Sequence, residues 1–166
     1  MVNSRLFRAL LVGVLGWLLL GASSPPPAWA SSDRPGLGQE MRDYLARHPG
    51  GRAINDNEIS YDGGAFVVTL RAPVQAYGAD CPKGWFCFYE WPNYGYPRGQ
   101  LSSCGWQYLA NWGWQLRAES AHYNMTTGYV TFSYYDSPLF TVSTTSRARS
   151  DASPYRNLAN YVYHRC

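Results

Sequence analysis

The residues of this chain with chemistry to offer are few. Four cysteines stand at Cys81, Cys87, Cys104 and Cys166. An even count reads as two disulfides, and four cysteines allow three connectivities. Between Cys81 and Cys87 lies Pro82-Lys83-Gly84, a turn that lets those two meet locally. Cys104 is then left for Cys166, the last residue. Loop-closure arithmetic assigns about 4 kcal/mol to the long bridge and about 2 kcal/mol to the short one. A zinc site is the rival use of these thiols. It is disfavoured because there is no C-x-x-C pair and no clustered histidine.

Acid–base chemistry has weaker support. His48, His122 and His164 lie in no nucleophile or metal motif. His48 closes a helical stretch, where a cation suits the helix dipole. Glu90 and Glu119 are the pair that an acid–base hydrolase would use. The simpler reading makes Glu90 a structural acid of a hairpin and Glu119 a solvated one. No catalytic set results, so the chain is read as a non-enzyme. No cofactor and no metal ion are expected. Every tryptophan after residue 30 (Trp85, Trp91, Trp106, Trp112, Trp114) falls in one short window. Trp91, Trp112 and Trp114 are the candidates for exposed rings that stack on sugars. The alternative is that the tryptophans build the core of a domain short of aliphatics. Asn124-Met125-Thr126 is a glycosylation sequon, relevant only in a host that glycosylates exported proteins.

These residues need elements to hold them. The first thirty are a secretory signal: Arg5 and Arg8, an apolar run from Ala9 to Ala22, and Ala28-Trp29-Ala30 as the cleavage site. The run is shorter than the ~20 residues that span a bilayer. Export to an oxidising compartment agrees with paired cysteines, and the processed chain is expected to be extracellular, with no membrane attachment. Removal of Arg5 and Arg8 takes the formal net charge from +3 to +1. With Lys83 its sole lysine, the remainder has no basic footprint for nucleic acid.

Residues 31–80 read as an N-terminal extension packed on a body of residues 81–166. Its elements are an amphipathic helix over Gln39–His48 and a strand over Ala65–Leu70; Asn and Asp turn formers fill Ile54–Asp62. In the body, Phe86–Trp91 is a strand, Pro92–Gly95 a turn, and Gln100-Leu101 the start of a second strand. Asn111–Trp114 is an aromatic loop. Tyr129–Tyr135 and Leu139–Val142 form a hairpin, and Leu158–Tyr163 closes the chain. Ser143–Ser153, carrying Arg147 and Arg149, reads as an exposed polar loop. Short strands at regular turn spacing predict a mainly β protein, a β-sandwich. A faint internal repeat is visible in Phe88-Tyr89-Glu90 and Tyr134-Tyr135-Asp136, each an aromatic pair before an acid and a turn.

The stretch from Cys81 to Ser120 resembles a known family. Its marks are C-P-x-G-x-F-C, Phe88-Tyr89-Glu90, Asn93-Tyr94-Gly95, Cys104-Gly105-Trp106 and Trp112-Gly113. They are similar to the secreted actinobacterial proteins grouped with the Streptomyces metalloproteinase inhibitor, which share the Greek-key fold of the β/γ-crystallins. The resemblance implies a crystallin-like Greek-key β-sandwich and a monomeric inhibitor of an extracellular protease, above all a metalloprotease. It carries over no reactive residue, because this chain lacks the second short cysteine loop that presents the reactive bond in that family. Arg147 and Arg149 are the candidate protease contacts. The crystallin calcium motif maps onto Gln115–Ser120, where the oxygen-rich ligands are missing and Arg117 is cationic, so no calcium site is expected. A non-catalytic module that binds cell-wall glycan is the alternative function.

Overall fold

The structure is a computed structural model that describes residues 36–74 and 78–166. The expected signal peptide, residues 1–30, lies outside the described residues. Helix α1 spans Leu37–Arg47, close to the predicted 39–48. Met41 and Tyr44, three apart on one face, are its buried residues, and Leu37 and Leu45 pack beside them. Glu40 in the first turn and Arg47 in the last complement the dipole. The Tyr44 hydroxyl donates to the Trp112 carbonyl at 3.1 Å, fixing the helix to the body.

The rest is mainly β, in two antiparallel sheets. The strands are β1 (Arg52–Ala53), β2 (Glu58–Tyr61), β3 (Phe66–Thr69), β4 (Trp85–Trp91), β5 (Gly95–Leu101) and β6 (Gly105–Tyr108). After them come β7 (Ser120–Asn124), β8 (Tyr129–Tyr134), β9 (Ser137–Ser143), β10 (Ala148–Arg149) and β11 (Tyr161–Arg165). The larger sheet runs β1-β2-β3-β5-β4-β7-β10 and the smaller β6-β11-β8-β9. Strand β3 is buried along its whole length and pairs with β5 from Phe66↔Leu101 to Thr69↔Arg98. Residues 52–69 therefore continue the sheet of the body through ladder hydrogen bonds.

Two sets of four strands, β4–β7 and β8–β11, follow one plan. In each, the third strand leaves its own set: β6 joins the sheet of β8, β9 and β11, and β10 joins β7. Each set opens with a hairpin turned by residues of positive φ, Asn93 (55°) and Tyr94 (64°) in the first and Tyr135 (48°) in the second. A buried polar side chain latches each hairpin. Ser120 Oγ accepts from the Tyr94 N–H at 3.1 Å and donates to the Trp91 carbonyl at 2.7 Å. Asn160 Oδ1 accepts from the Tyr135 N–H at 2.7 Å. The repeat read in the sequence does not mark equivalent places in these hairpins: Phe88–Glu90 lies within β4, ahead of its turn, whereas Tyr134–Asp136 is at the second turn itself.

The inner faces share one aromatic core. Phe88 meets Trp114 edge-on at 5.0 Å and Phe132 at 5.9 Å, and Phe132 stacks on Phe140 at 4.5 Å. Gly99 is required by this packing, since a Cβ there would stand 2.5 Å from the Phe88 ring. Both disulfides form as predicted: Cys81–Cys87 and Cys104–Cys166, with Cα separations of 5.5 and 5.7 Å.

Three expectations are corrected. Gln100 and Leu101 end β5 rather than start a strand. Ile54–Asp62 contains β2, whose Ile59 and Tyr61 are buried. Ser143–Ser153 is not one free loop, because Ala148 and Arg149 pair with His122 and Ala121 as β10.

Candidate functional site

Strands alternate their side chains between two faces. In β11, Val162 and His164 point to the core, so Tyr161 and Tyr163 must point out. In β6 the order is glycine, tryptophan, glutamine, tyrosine, and here the aromatics are the outward pair. The antiparallel register sets Tyr161 opposite Tyr108 and Tyr163 opposite Trp106. Tyr108 and Tyr161 stack at 4.7 Å with 26° between their planes, and Trp106 lies 5.1 Å from Tyr163. Successive rings on one strand stand about 7 Å apart, two residues of rise. Beyond them the face turns to hydroxyls: Thr131 on β8 pairs with Thr141 on β9, their oxygens 2.9 Å apart. The outer surface of the smaller sheet is thus a platform of four aromatic rings bordered by hydroxyl groups.

The Cys104–Cys166 disulfide abuts this platform. Cys104 precedes β6 and Cys166 follows β11, so the bridge fastens the open end of the two strands that carry the rings. His164 beneath it is buried, with Nε2 3.1 Å from the Tyr123 hydroxyl and Nδ1 3.0 Å from the Ser103 carbonyl. The sulfur and imidazole atoms of Cys104, Cys166 and His164 lie within 4.8 Å of one another. As a disulfide the two sulfurs have no thiolate to give a metal ion.

At its other end the platform opens on a cleft of about 340 Å³ lined by Trp106, Tyr135, Asp136 and Tyr161. Trp106 and Tyr161 stand almost perpendicular there, at 86°. Tyr135 is 61% exposed, yet its backbone is held by Asn160.

The residues singled out from the sequence fall in different places. Trp91 is exposed as expected, at 56%. It borders a groove with Tyr96, Pro97, Arg47 and Arg71 between the helix and β5. Trp112 and Trp114 are core residues, which corrects their reading as exposed contacts. Phe66 stacks on Trp112 at 4.6 Å, and the Trp112 indole N–H donates to Asp62 at 2.8 Å. Trp114 is fully buried against Phe88, with the Arg117 guanidinium 4.8 Å from its ring. Arg147 and Arg149 are likewise not the tips of a free loop. Arg147 donates to the carbonyls of Tyr123 and Met125, while Arg149 donates to that of Ser153 and lies over the Phe140 ring.

Glu90 and Glu119 line one small cleft, but each carboxylate is engaged by a neighbour, and the burial of Glu119 corrects its reading as solvated. Glu90 accepts from Arg117, and Glu119, almost wholly buried, accepts from Asn157 with Arg156 at 3.9 Å. The expectation of a charged His48 is also corrected. Burial first, then the nearby Arg117 and Arg47, lowers its pKa below the ordinary 6.5. Burial and Arg147 lower that of His122. Buried Tyr89 is pushed well above the ordinary tyrosine value, first by desolvation and then by the Asp80 carboxylate that accepts its proton at 2.9 Å.

Sequence reasoning missed Trp106, Tyr108, Tyr161 and Tyr163 as a group. The available signal was alternation in two stretches, Gly-Trp-Gln-Tyr and Tyr-Val-Tyr-His, in which the ring occupies every second place. Comparisons of the chain with protein-family models, with curated proteins and with solved structures find no match.

Proposed function

We propose that this protein is a non-catalytic, extracellular, glycan-binding module whose ligand lies across β6 and β11. The observation that carries the reading is the outward platform of Trp106 and Tyr108, both exposed, with Tyr161 and Tyr163, half-buried, beside them. A contiguous apolar patch left in water marks a binding surface. Rigid, flat rings give large contact area at small entropic cost. A pyranose ring has one C–H-rich face to lay on them and hydroxyls at its rim to meet Thr131 and Thr141. Two disulfides fit an oxidising compartment outside the cytoplasm.

A second reading rests on the exchanged third strands and the latched hairpins. We propose that they are those of a crystallin-type double Greek key. That arrangement belongs with the inhibitor resemblance of Cys81–Ser120 and with inhibition of an extracellular metalloprotease. The proposed contact loop at Arg147 and Arg149 has less support, since both side chains are spent on their own body. One experiment separates the readings: protein lacking residues 1–30 is mixed with insoluble cell-wall glycan and, separately, titrated into a thermolysin-type protease. Retention on glycan without inhibition supports the module. Stoichiometric inhibition without retention supports the inhibitor and overturns it.

A further inference from the structure

The cleft at the end of the platform differs in chemistry from the platform itself. Three of its four lining residues are aromatic and the fourth is an acid. The indole of Trp106 and the phenol of Tyr161 make two walls at 86° with ring centres 6.3 Å apart. Tyr135, packed edge-on with Tyr134 at 4.8 Å, also lines the cleft, its backbone set at a φ of 48° and held by the buried side chain of Asn160. Aromatic faces carry negative potential, and converging faces are how proteins hold organic ammonium groups. Asp136 adds a full negative charge. It is exposed, and among the described residues its carboxylate has no ion pair and no hydrogen-bond partner. An anionic, ring-walled cleft with no internal cation is complementary to a cation supplied by the ligand.

We infer that Trp106, Tyr135, Asp136 and Tyr161 form a cage for a protonated amine, so that the glycan taken by the platform is one with free amino-sugar units. This inference rests on the glycan reading of the platform and names its substrate class. One amino sugar would sit in the cleft with its ammonium group toward Asp136. The neighbouring sugars would run onto Tyr161, Tyr108 and Tyr163. An N-acetylated unit has no charge to offer and gains only the stacking.

The test is calorimetric titration at pH 6 of protein lacking residues 1–30. The probes are a glucosamine hexamer, an N-acetylglucosamine hexamer of the same linkage, and Nα-acetyl-lysine amide as a protein-like amine. The glucosamine hexamer is expected to bind about tenfold more tightly than the acetylated one, a difference of about 1.4 kcal/mol. Asp136→Asn is expected to bring the two within about twofold. Asp136 is exposed and unbonded, so this variant folds, which an unchanged melting temperature checks. Equal binding of both hexamers, insensitive to Asp136→Asn, overturns the cage and leaves the glycan platform standing. No binding of either hexamer overturns the amino-sugar cage, and retention on insoluble cell-wall glycan then decides separately whether the platform reading stands. Binding of the lysine amide alone, lost in Asp136→Asn, overturns the amino-sugar assignment in favour of a protein ligand.

Discussion

Ser120→Ala removes a hydroxyl that performs two tasks in a fully buried position. Its oxygen takes the Tyr94 N–H and gives its own proton to the Trp91 carbonyl. Each such bond contributes about 1 kcal/mol net, and an unpaired group left behind costs more. The turn it holds is strained as well, because Tyr94 sits at φ 64°, a conformation that costs a side chain about 1 kcal/mol. That strain is common to the native and the altered protein, so the loss is set by the two bonds and by the amide and carbonyl left unpaired. The expected loss is about 2–3 kcal/mol. Guanidinium unfolding of the disulfide-intact protein reads it as a lower midpoint at unchanged slope. Thr145→Ala, an exposed hydroxyl on a surface turn, is the control and should stay within about 0.5 kcal/mol. Asn160→Ala, the matching latch of the second hairpin, should lose about 1–2 kcal/mol, since it gives up one backbone bond at Tyr135. A loss for Ser120→Ala no larger than the control would refute the latch argument.

The two disulfides should differ in weight. With 62 residues of separation, Cys104–Cys166 should contribute about 4 kcal/mol, and Cys81–Cys87, with 6, about 2 kcal/mol; unfolding of the paired-alanine variants measures the difference, and equal losses would contradict it. Acidification should destabilise the fold through its histidines. His48 and His122 have folded pKa values depressed below 6.5, so the unfolded chain binds protons first. Their contribution is complete above pH 6.5 and is lost as pH falls through the folded values. His48→Gln with His122→Gln should flatten the unfolding midpoint between pH 7.5 and 5.5, and a wild-type midpoint that rises on acidification would contradict the sign.

The parts of the fold legible in the sequence are those whose signals are local. Proline and glycine between Cys81 and Cys87 mark the short bridge, and Met41 and Tyr44 mark the buried face of α1. The β8–β9 hairpin shows because its apolar residues alternate around Asp136. Elements that owe their state to partners were not legible. β1 and β10 are two residues each and exist because β2 and β7 offer free edges. β2 is masked by Asn55, Asp56 and Asn57 just ahead of it, which make the turn while Ile59 and Tyr61 supply the strand. The tryptophans divide for a tertiary reason. Trp112 and Trp114 end on the inside because Phe66 and Phe88 stand opposite them, contacts across 46 and 26 residues of chain that no local pattern announces. Trp106 ends outside because its neighbours in β6 are glycine and glutamine and the disulfide fixes that strand to β11. Arg147 and Arg149 look like loop residues by composition, yet carbonyls at the end of β7 and beyond β10 absorb their guanidinium groups.

The most direct test of the binding reading is the affinity of Trp106→Ala for a soluble oligosaccharide of the retained glycan. One face of an indole laid on a sugar removes roughly 80 Å² of apolar surface, worth about 2 kcal/mol at ~25 cal/mol per Å². That corresponds to about a thirtyfold loss of affinity. Trp106 is 58% exposed, so its replacement should leave the melting temperature in place. Trp91→Ala, which alters an exposed tryptophan on another surface, should bind as wild type. An affinity unchanged by Trp106→Ala, or abolished by Trp91→Ala, would contradict the assignment of the ligand to the β6–β11 face.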